Sequence, residues 1–219
     1  MLRQFLKGLI ASLLLTGTVM AIEEPKYEVL RVEGDIELRQ YAPRLIAEVS
    51  VEGDMDEASS KGFRLIASYI FGNNQAVDQP GSEKISMTAP VTVEPRSEKI
   101  AMTAPVTLET GAQELSMQAA NVWRVSFVMP VQYSLANIPK PNDPAVKLSE
   151  LPVKYVVVLT YSGLNTLTKI QALTDQLREW TIAKGFKILG APQLARYNPP
   201  WTLPFFRRNE IMLEISKPG

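Results

Sequence analysis

The chain has 219 residues, with 23 basic and 23 acidic side chains, and it contains neither histidine nor cysteine. These two absences exclude serine–histidine triads, cysteine nucleophiles, disulfides, and metal sites built from imidazole or thiolate. The balanced charge gives no electrostatic reason to bind nucleic acid.

The first 21 residues predict a secretory signal peptide. Arg3 and Lys7 precede an apolar run, and Val19-Met-Ala21 is a small-residue cleavage site. The run is shorter than the ~20 residues that a membrane span needs. We therefore expect export to the periplasm or the medium, no membrane span once the leader is removed, and a single domain over residues 22–219. That domain has a net charge of −2, from 21 basic against 23 acidic side chains.

Alternating apolar and polar residues predict strands over Tyr27–Glu33, Ile36–Tyr41 and Leu45–Val51. Turn signals separate these runs, so the three are expected to start the fold as neighbouring antiparallel strands.

A helix is predicted from Asp54, which precedes Glu57 by three residues in the pattern of a capping box, to about Phe71, where Gly72 ends it. The residues expected on its buried face are Ala58, Gly62, Leu65, Ile66, Tyr69 and Ile70.

The next segment occurs twice. Glu83–Glu94 and Glu98–Glu109 are identical at ten of twelve aligned positions. The alternation in each copy predicts a strand, and the two copies are expected to form a hairpin with Met87 and Met102 in the core. The proline in each copy places it at a sheet edge, a bulge or a strand end.

The second half of the chain begins with the proline-rich stretch 139–144, which predicts an irregular linker. Strands are predicted over Tyr155–Tyr161, near Phe186–Tyr197 and over Asn209–Ile215.

A second helix is predicted from Asn165 or Thr166 to about Lys184. The residues expected on its buried face are Leu167, Ile170, Leu173, Leu177 and Trp180. Strand, glycine turn, helix and strand pair thus occur twice, with Gly53 and Gly163 in matching places. The duplication predicts an α+β fold with pseudo-twofold symmetry, in which a distorted antiparallel β-barrel packs against two helices.

The doubled Lys-Ile-x-Met-Thr-Ala-Pro-Val motif resembles the SOUL haem-binding protein family. Five further segments stand in the family's order: Trp123–Pro130, Ile138–Pro144, Tyr161–Gly163, Tyr197–Trp201 and Arg207–Glu210. The resemblance implies the barrel described above, which gyrase-inhibitor-like effector domains share. It also implies a non-enzymatic protein that binds or carries haem or a related tetrapyrrole in an apolar cleft.

In relatives of this family the tetrapyrrole lies against the outer stripe of the first helix. The corresponding positions here are Ser60, Phe63, Ala67 and Ser68, with Lys61 and Arg64 beside them as partners for the propionates. A proline-held loop with Trp201, Phe205 and Phe206 is either a second wall of the ligand site or a plug for the open end of the barrel.

With no histidine or cysteine, the axial ligand of a bound haem iron would be methionine or tyrosine, with lysine as a weaker alternative. The candidates are Met87, Met102, Tyr69 and Tyr197. The methionine spacing favours core packing, and buried tyrosines usually form ordinary hydrogen bonds, so haem binding without an axial bond is expected.

Two alternatives remain open. One is an effector-type pocket for other planar or apolar small molecules, without haem. The other is a carboxylate-dependent hydrolase or isomerase, which a buried Asp or Glu facing the cavity would favour. Asn209 and Glu210 are interpreted as structural groups that tie the preceding loop to the sheet.

Overall fold

A computed structural model describes residues 22–96, 117 and 120–219. The leader and the second copy of the motif, with Met102, lie outside the described residues. The strands are β1 (Tyr27–Glu33), β2 (Ile36–Tyr41), β3 (Arg44–Glu52), β4 (Asn74–Gln75), β5 (Val91–Pro95), β6 (Val122–Val128), β7 (Lys140–Pro141), β8 (Lys147–Leu151), β9 (Lys154–Tyr161), β10 (Gln193–Arg196) and β11 (Asn209–Ile215). The helices are α1 (Met55–Ile70) and α2 (Leu167–Ala183).

Nine of these strands form one curled antiparallel sheet, in the order β1-β2-β9-β11-β10-β5-β6-β3-β8. The sheet contains two similar halves. The units β3-α1-β5-β6 and β9-α2-β10-β11 meet where β5 pairs with β10. The outer strands are exchanged, because β2 pairs with β9 of the second unit and β8 pairs with β3 of the first. The predicted duplication and fold class are confirmed.

Helix α1 follows the prediction closely. The Asp54 carboxylate accepts hydrogen bonds from the backbone of Asp56 at 2.9 Å and of Glu57 at 2.8 Å. Gly72 adopts a φ of +118°, a backbone conformation that favours glycine, just after the helix ends. The predicted inward residues are buried, except Leu65, which is partly buried against the core.

Helix α2 is capped by the Thr166 hydroxyl, as predicted. On its predicted buried face, Ile170 and Leu177 are buried, and Leu173 and Trp180 are partly buried against the core. Leu167 is exposed, so its predicted place on that face is wrong. The buried residues include Thr174 and Thr181, whose hydroxyls donate to the carbonyls four residues earlier at 2.7 and 2.6 Å. A pattern that treats threonine as outward-facing cannot anticipate this arrangement.

Two strand predictions and the predicted linker require correction. The predicted neighbour of β2 is wrong, because β3 lies between β6 and β8. The stretch 139–144 is not an irregular linker, since Pro139 is buried and β7 pairs with β4. The strand expected near Phe186–Tyr197 is restricted to β10, and β8 was not predicted.

The first motif copy is only partly a strand. Residues 83–87 have no regular structure, and the strand begins at Val91. Ile85 is buried, but Met87 is 37% exposed, so its predicted core position is wrong. Strand β5 lies inside the sheet, and Pro90 of the motif stands directly before it, at a strand end, which is one of the three predicted places for this proline. Irregular backbone bonds, such as Ile85 N–H to Ile70 at 2.9 Å, interrupt the alternation before Val91.

The main core lies between one face of the sheet and the two helices, around Trp123, Phe127, Leu177 and Leu213. The opposite, helix-free face carries a second cluster. This inner cluster consists of Tyr41, Ala89, Val156, Val158, Ala195, Tyr197 and Met212. No helix in the described ranges is long and apolar enough to cross a membrane.

Candidate functional site

A buried carboxylate lies beside the inner cluster. Glu210, with 0% of its surface exposed, accepts hydrogen bonds from Arg39 at 3.1–3.2 Å and from Arg208 at 2.9 and 3.2 Å. The Tyr197 hydroxyl donates to the same carboxylate at 2.7 Å. Arg39, itself 2% exposed, also donates to Glu37 at 2.6 Å. Every strong donor around Glu210 is therefore engaged with its charge.

The pKa shifts around this network follow from burial and charge. Burial alone lowers the pKa of Arg39, but the charge of Glu210 and the bonds to Tyr41 and Glu37 raise it above its ordinary value overall. Burial raises the pKa of Tyr41 to about 12, although the charge of Arg39 opposes this. Burial and Glu210 together raise the pKa of Tyr197.

Asn209, beside Glu210, ties two loops to the sheet. Its amide nitrogen donates to the Gly163 carbonyl at 3.2 Å, and its amide oxygen accepts from Asn165 at 3.0 Å. The Tyr161 hydroxyl in turn donates to Asn165 at 2.7 Å. These contacts are of the structural kind that the sequence predicted for this position.

A cleft of about 530 Å³ opens on the surface and is here called the main cleft. Its walls come from residues 23–26, 42–45, 128–131, 133–134 and 150–152. These are the segment that precedes β1, the β2–β3 turn, the end of β6 and the end of β8. The cleft therefore lies in the first half of the duplicated sheet.

The segment that precedes β1 is fixed in place as a wall of the main cleft. The Glu23 carbonyl accepts from Ala89 N–H at 2.9 Å, and its carboxylate accepts from Val131 N–H at 2.8 Å. Arg208 donates to Glu24 at 3.0 and 3.1 Å. The wall is thus joined to the buried network through Arg208, which contacts both Glu24 and Glu210.

A second, small cavity of about 40 Å³ lies on the helix-free face. It shares Arg44, Val128 and Leu151 with the main cleft, so the two spaces are neighbours. Its volume is close to that of one or two water molecules.

Ion pairs line the small cavity. Arg124 pairs with Glu94 and, at 3.3 Å, with Glu48, and Lys154 pairs with Glu214. Burial raises the pKa of Glu94 above its ordinary value, although Arg124 acts in the opposite direction. Glu94 is thus a largely buried carboxyl group that faces a cavity, but it has a cationic partner.

Arg44 differs from these residues. Its guanidinium is half-buried, lies 4.8 Å from the centre of the Tyr41 ring, and approaches the Ala42 carbonyl at 3.5 Å. Among the described residues, no carboxylate lies within ion-pair distance of Arg44. Burial lowers the pKa of its guanidinium, and the charges nearby only partly offset this.

The family model described as SOUL heme-binding protein matches residues 22–97 and 94–214. The chain belongs to the SOUL family. No curated protein matches it. Among solved structures, the EcmrR C-terminal domain is similar, with 11% identity, a TM-score of 0.55, and 88% of this chain and 99% of that domain covered.

Two crystal structures from Listeria innocua are also similar to this SOUL chain. One, described as a hydrolase, has 11% identity and a TM-score of 0.53, with 85% of this chain and 94% of that chain covered. The other, an uncharacterized conserved protein, has 11% identity and a TM-score of 0.54, with 83% and 92% covered. At this identity the three structures show a shared fold, and their functions are their own.

The helix surface expected from the SOUL resemblance is partly accessible. Ser60, Lys61 and Arg64 are exposed on α1. Phe63 is partly exposed, and its ring centre lies 5.6 Å from that of Phe127. Ala67 is buried, so its predicted place on an outer stripe is wrong.

The proline-held loop exposes its aromatic residues. Trp201 is 82% exposed, and Phe205 and Phe206 are also largely exposed, which contradicts their interpretation as a plug. The loop is held from within by Arg207, which donates to the Thr202 carbonyl at 2.7 Å. A residue outside the loop also holds it, because the Gly163 N–H donates to the Pro204 carbonyl at 2.9 Å.

The candidate iron ligands are not gathered at one site. The Tyr69 hydroxyl donates to the Pro139 carbonyl at 2.7 Å, and Tyr197 is bonded to Glu210. Neither these residues, nor Met87, nor any predicted helix or loop residue lines the two cavities. No group of three or more acidic side chains in the described part of the chain is arranged to hold a metal ion.

The sequence analysis missed the residues of the main cleft. They come from four distant segments, and their residue types carry no motif. One signal was present, because Arg44 and Lys154 each precede a turn glycine, Gly53 and Gly163, by nine residues.

Proposed function

We propose that this protein binds and carries a tetrapyrrole, haem or a relative, in the main cleft. The observation that carries the proposal is a cleft of about 530 Å³ in a member of a family described as heme-binding. Pockets for small molecules typically occupy roughly 300–1,000 Å³ and combine apolar walls with a few polar groups. Here Leu45, Val128 and Val131 supply apolar surface, and Arg44 supplies a cation.

The cleft suits enclosure of the macrocycle better than a bond to its iron. Met129 and Tyr133 are the lining residues of a type that ligates haem iron. Met129 is buried in the main core, and the Tyr133 hydroxyl already donates to Glu83 at 2.7 Å. Burial and Glu83 raise the pKa of Tyr133, which disfavours the phenolate that iron would need.

Titration with haemin and with iron-free protoporphyrin tests the proposal. The two affinities should agree within about tenfold, because little energy comes from the iron. Val131→Asn should weaken both by about tenfold, because it removes apolar contact in the main cleft. Phe63→Ala and Trp201→Ala test the helix surface and the loop as alternative locations.

The outcomes separate the possibilities. A loss of affinity in Phe63→Ala but not in Val131→Asn would place the ligand on α1. A haemin preference of about a hundredfold or more that Tyr133→Phe abolishes would show axial ligation. Failure to bind either porphyrin would overturn tetrapyrrole binding and favour an effector-type pocket for other planar compounds.

A carboxylate-dependent hydrolase or isomerase is the second candidate, and Glu94 favours it. Its carboxyl group faces the small cavity, and burial raises its pKa, as a general acid requires. The ion pair with Arg124 and the cavity volume of about 40 Å³ support the binding function instead. Ester hydrolysis by the wild-type protein that Glu94→Gln abolishes would reverse this choice.

We also infer that the protein is exported and cleaved after Ala21. The leader composition and the start of the family match at residue 22 support this. Mass spectrometry of exported protein should find Ile22 at the N-terminus. A retained leader in a membrane fraction would contradict export.

A further inference from the structure

The two halves of the sheet can be compared residue by residue. Arg44 begins β3 and precedes Gly53 by nine residues, and Lys154 begins β9 and precedes Gly163 by nine. Both glycines have positive φ, +125° and +105°. Arg44 and Lys154 therefore occupy equivalent positions.

The neighbouring strands extend this equivalence. In the second half, Glu214 of β11 pairs with Val156, two residues after Lys154. In the first half, Val128 of β6 pairs with Ile46, two residues after Arg44. Val128 thus stands where the second half has Glu214.

Because Val128 replaces a glutamate, the cation of the first half lacks the carboxylate partner that the cation of the second half has. Lys154 forms an ion pair with Glu214, whereas the first half has the apolar Val128 at the position that corresponds to Glu214. Both Arg44 and Val128 line the main cleft. A half-buried cation without a counter-ion is costly, and an incoming anion would relieve that cost.

The nearby carboxylates do not supply this anion. Glu214 lines the small cavity together with Arg44, and its charge acts to raise the pKa of the guanidinium, but Glu214 is paired with Lys154 and lies beyond ion-pair distance of Arg44. Glu24 pairs with Arg208, and the Glu23 carboxylate accepts from the Val131 backbone. Glu150 is exposed at the rim. Lys26, on the same wall, adds a second cation that has no ion pair within the described ranges.

We propose that Arg44 is the carboxylate-binding residue of the main cleft. The ligand is then an acidic amphiphile, with an apolar body against the cleft walls and a carboxylate against the guanidinium. Arginine suits this role, since its planar fork can bind both carboxylate oxygens at once. The inference rests on the proposed function, because it names the class of molecule that the same cleft takes.

Protoporphyrin and its dimethyl ester test the proposal, because esterification removes the carboxylates and keeps the macrocycle. The wild-type protein should bind the acid at least about tenfold more tightly than the ester. Arg44→Gln should reduce the affinity for the acid to that for the ester, and leave the ester unchanged. Lys61→Gln, which removes an exposed cation of α1 outside both cavities, should keep the preference for the acid.

A second variant tests the role of the Arg44 charge without replacing Arg44 itself. Val128→Glu places a carboxylate where the second half has Glu214, so Arg44 would gain an internal partner. The preference for the acid should fall as it does in Arg44→Gln. Val128→Gln, of matched shape but neutral, should keep most of the preference, and circular dichroism should show all variants folded.

The experiment distinguishes failure of the Arg44 inference from failure of the proposed function. If both porphyrins bind but Arg44→Gln weakens neither, or weakens both alike, Arg44 does not recognise the carboxylate and the inference is wrong while cleft binding stands. If the wild-type protein binds neither porphyrin, the proposed function itself fails.

Discussion

Replacing Glu210 by glutamine should strongly destabilise the fold. The variant keeps the shape of the side chain but removes the charge that faces Arg39, Arg208 and Tyr197. Arg39 is 2% exposed and would keep only Glu37 as a counter-charge. Removing one partner of a buried ion pair typically costs about 3–5 kcal/mol, because the other charge stays buried and uncompensated.

Glu214→Gln is the matched control, because Glu214 lies on the same face of the same strand. Its side chain is 23% exposed and that of its partner Lys154 is 21% exposed, so the loss should be smaller, about 1 kcal/mol or less. Urea unfolding followed by circular dichroism measures both variants. Equal losses in the two, or a Glu210→Gln loss below about 1 kcal/mol, would refute the argument that burial makes the Glu210 charge essential.

Three further predictions concern packing and titration. Gly62→Ala should destabilise the protein by about 1–3 kcal/mol in thermal unfolding, because its Cβ would lie 2.6 Å from Val125, whereas Gly190→Ala, with open space around it, should cost far less. The raised pKa of Glu94 gives stability that is present below its ordinary value of 4.5 and is lost as pH rises through the folded value; Glu94→Gln should flatten this decline in acid titrations of stability. The Tyr41 pKa of about 12 gives stability that is present below pH 10 and is lost between pH 10 and 12; Tyr41→Phe should remove about 2–3 kcal/mol of that alkaline loss, and an unchanged alkaline transition would contradict the shift.

Local patterns were predictable where neighbours along the chain determine the structure. The bounds of β1, β2 and β11 match the predicted strands, and Asp54 caps α1 as its spacing with Glu57 indicates. The neighbours of each strand were less predictable. The alternation in β3 shows that it has one buried face, but not that β6 and β8 lie beside it, because pairing is decided by distant segments.

The candidate site was even less accessible from sequence. The main cleft is lined by four segments that are far apart in the sequence. In the sequence Arg44 is an ordinary cation at the start of a strand, and only the pairing of β3 with β6 shows that Val128 lies where the second half has a carboxylate. The SOUL resemblance implied a ligand site on the outer surface of α1 instead. On that surface Phe63 is accessible to solvent, whereas Ala67 is buried. The porphyrin titrations of Val131 and Phe63 variants decide between these two surfaces.

The location of the main cleft follows from how the two halves of the sheet have diverged. Each half receives its outer strand from the other part of the chain, so both helix-free faces have the same strand arrangement. Three positions on these faces are equivalent by strand register, and each is larger or charged in the second half: Tyr41 against Leu151, Arg39 against Ser149, and Glu214 against Val128. In the second half these side chains fill the face with rings and ion pairs, whereas the smaller, uncharged residues of the first half leave room. The same substitutions that open the first half also leave Arg44 without the carboxylate that Lys154 has, so the space and the unpaired cation have one structural origin.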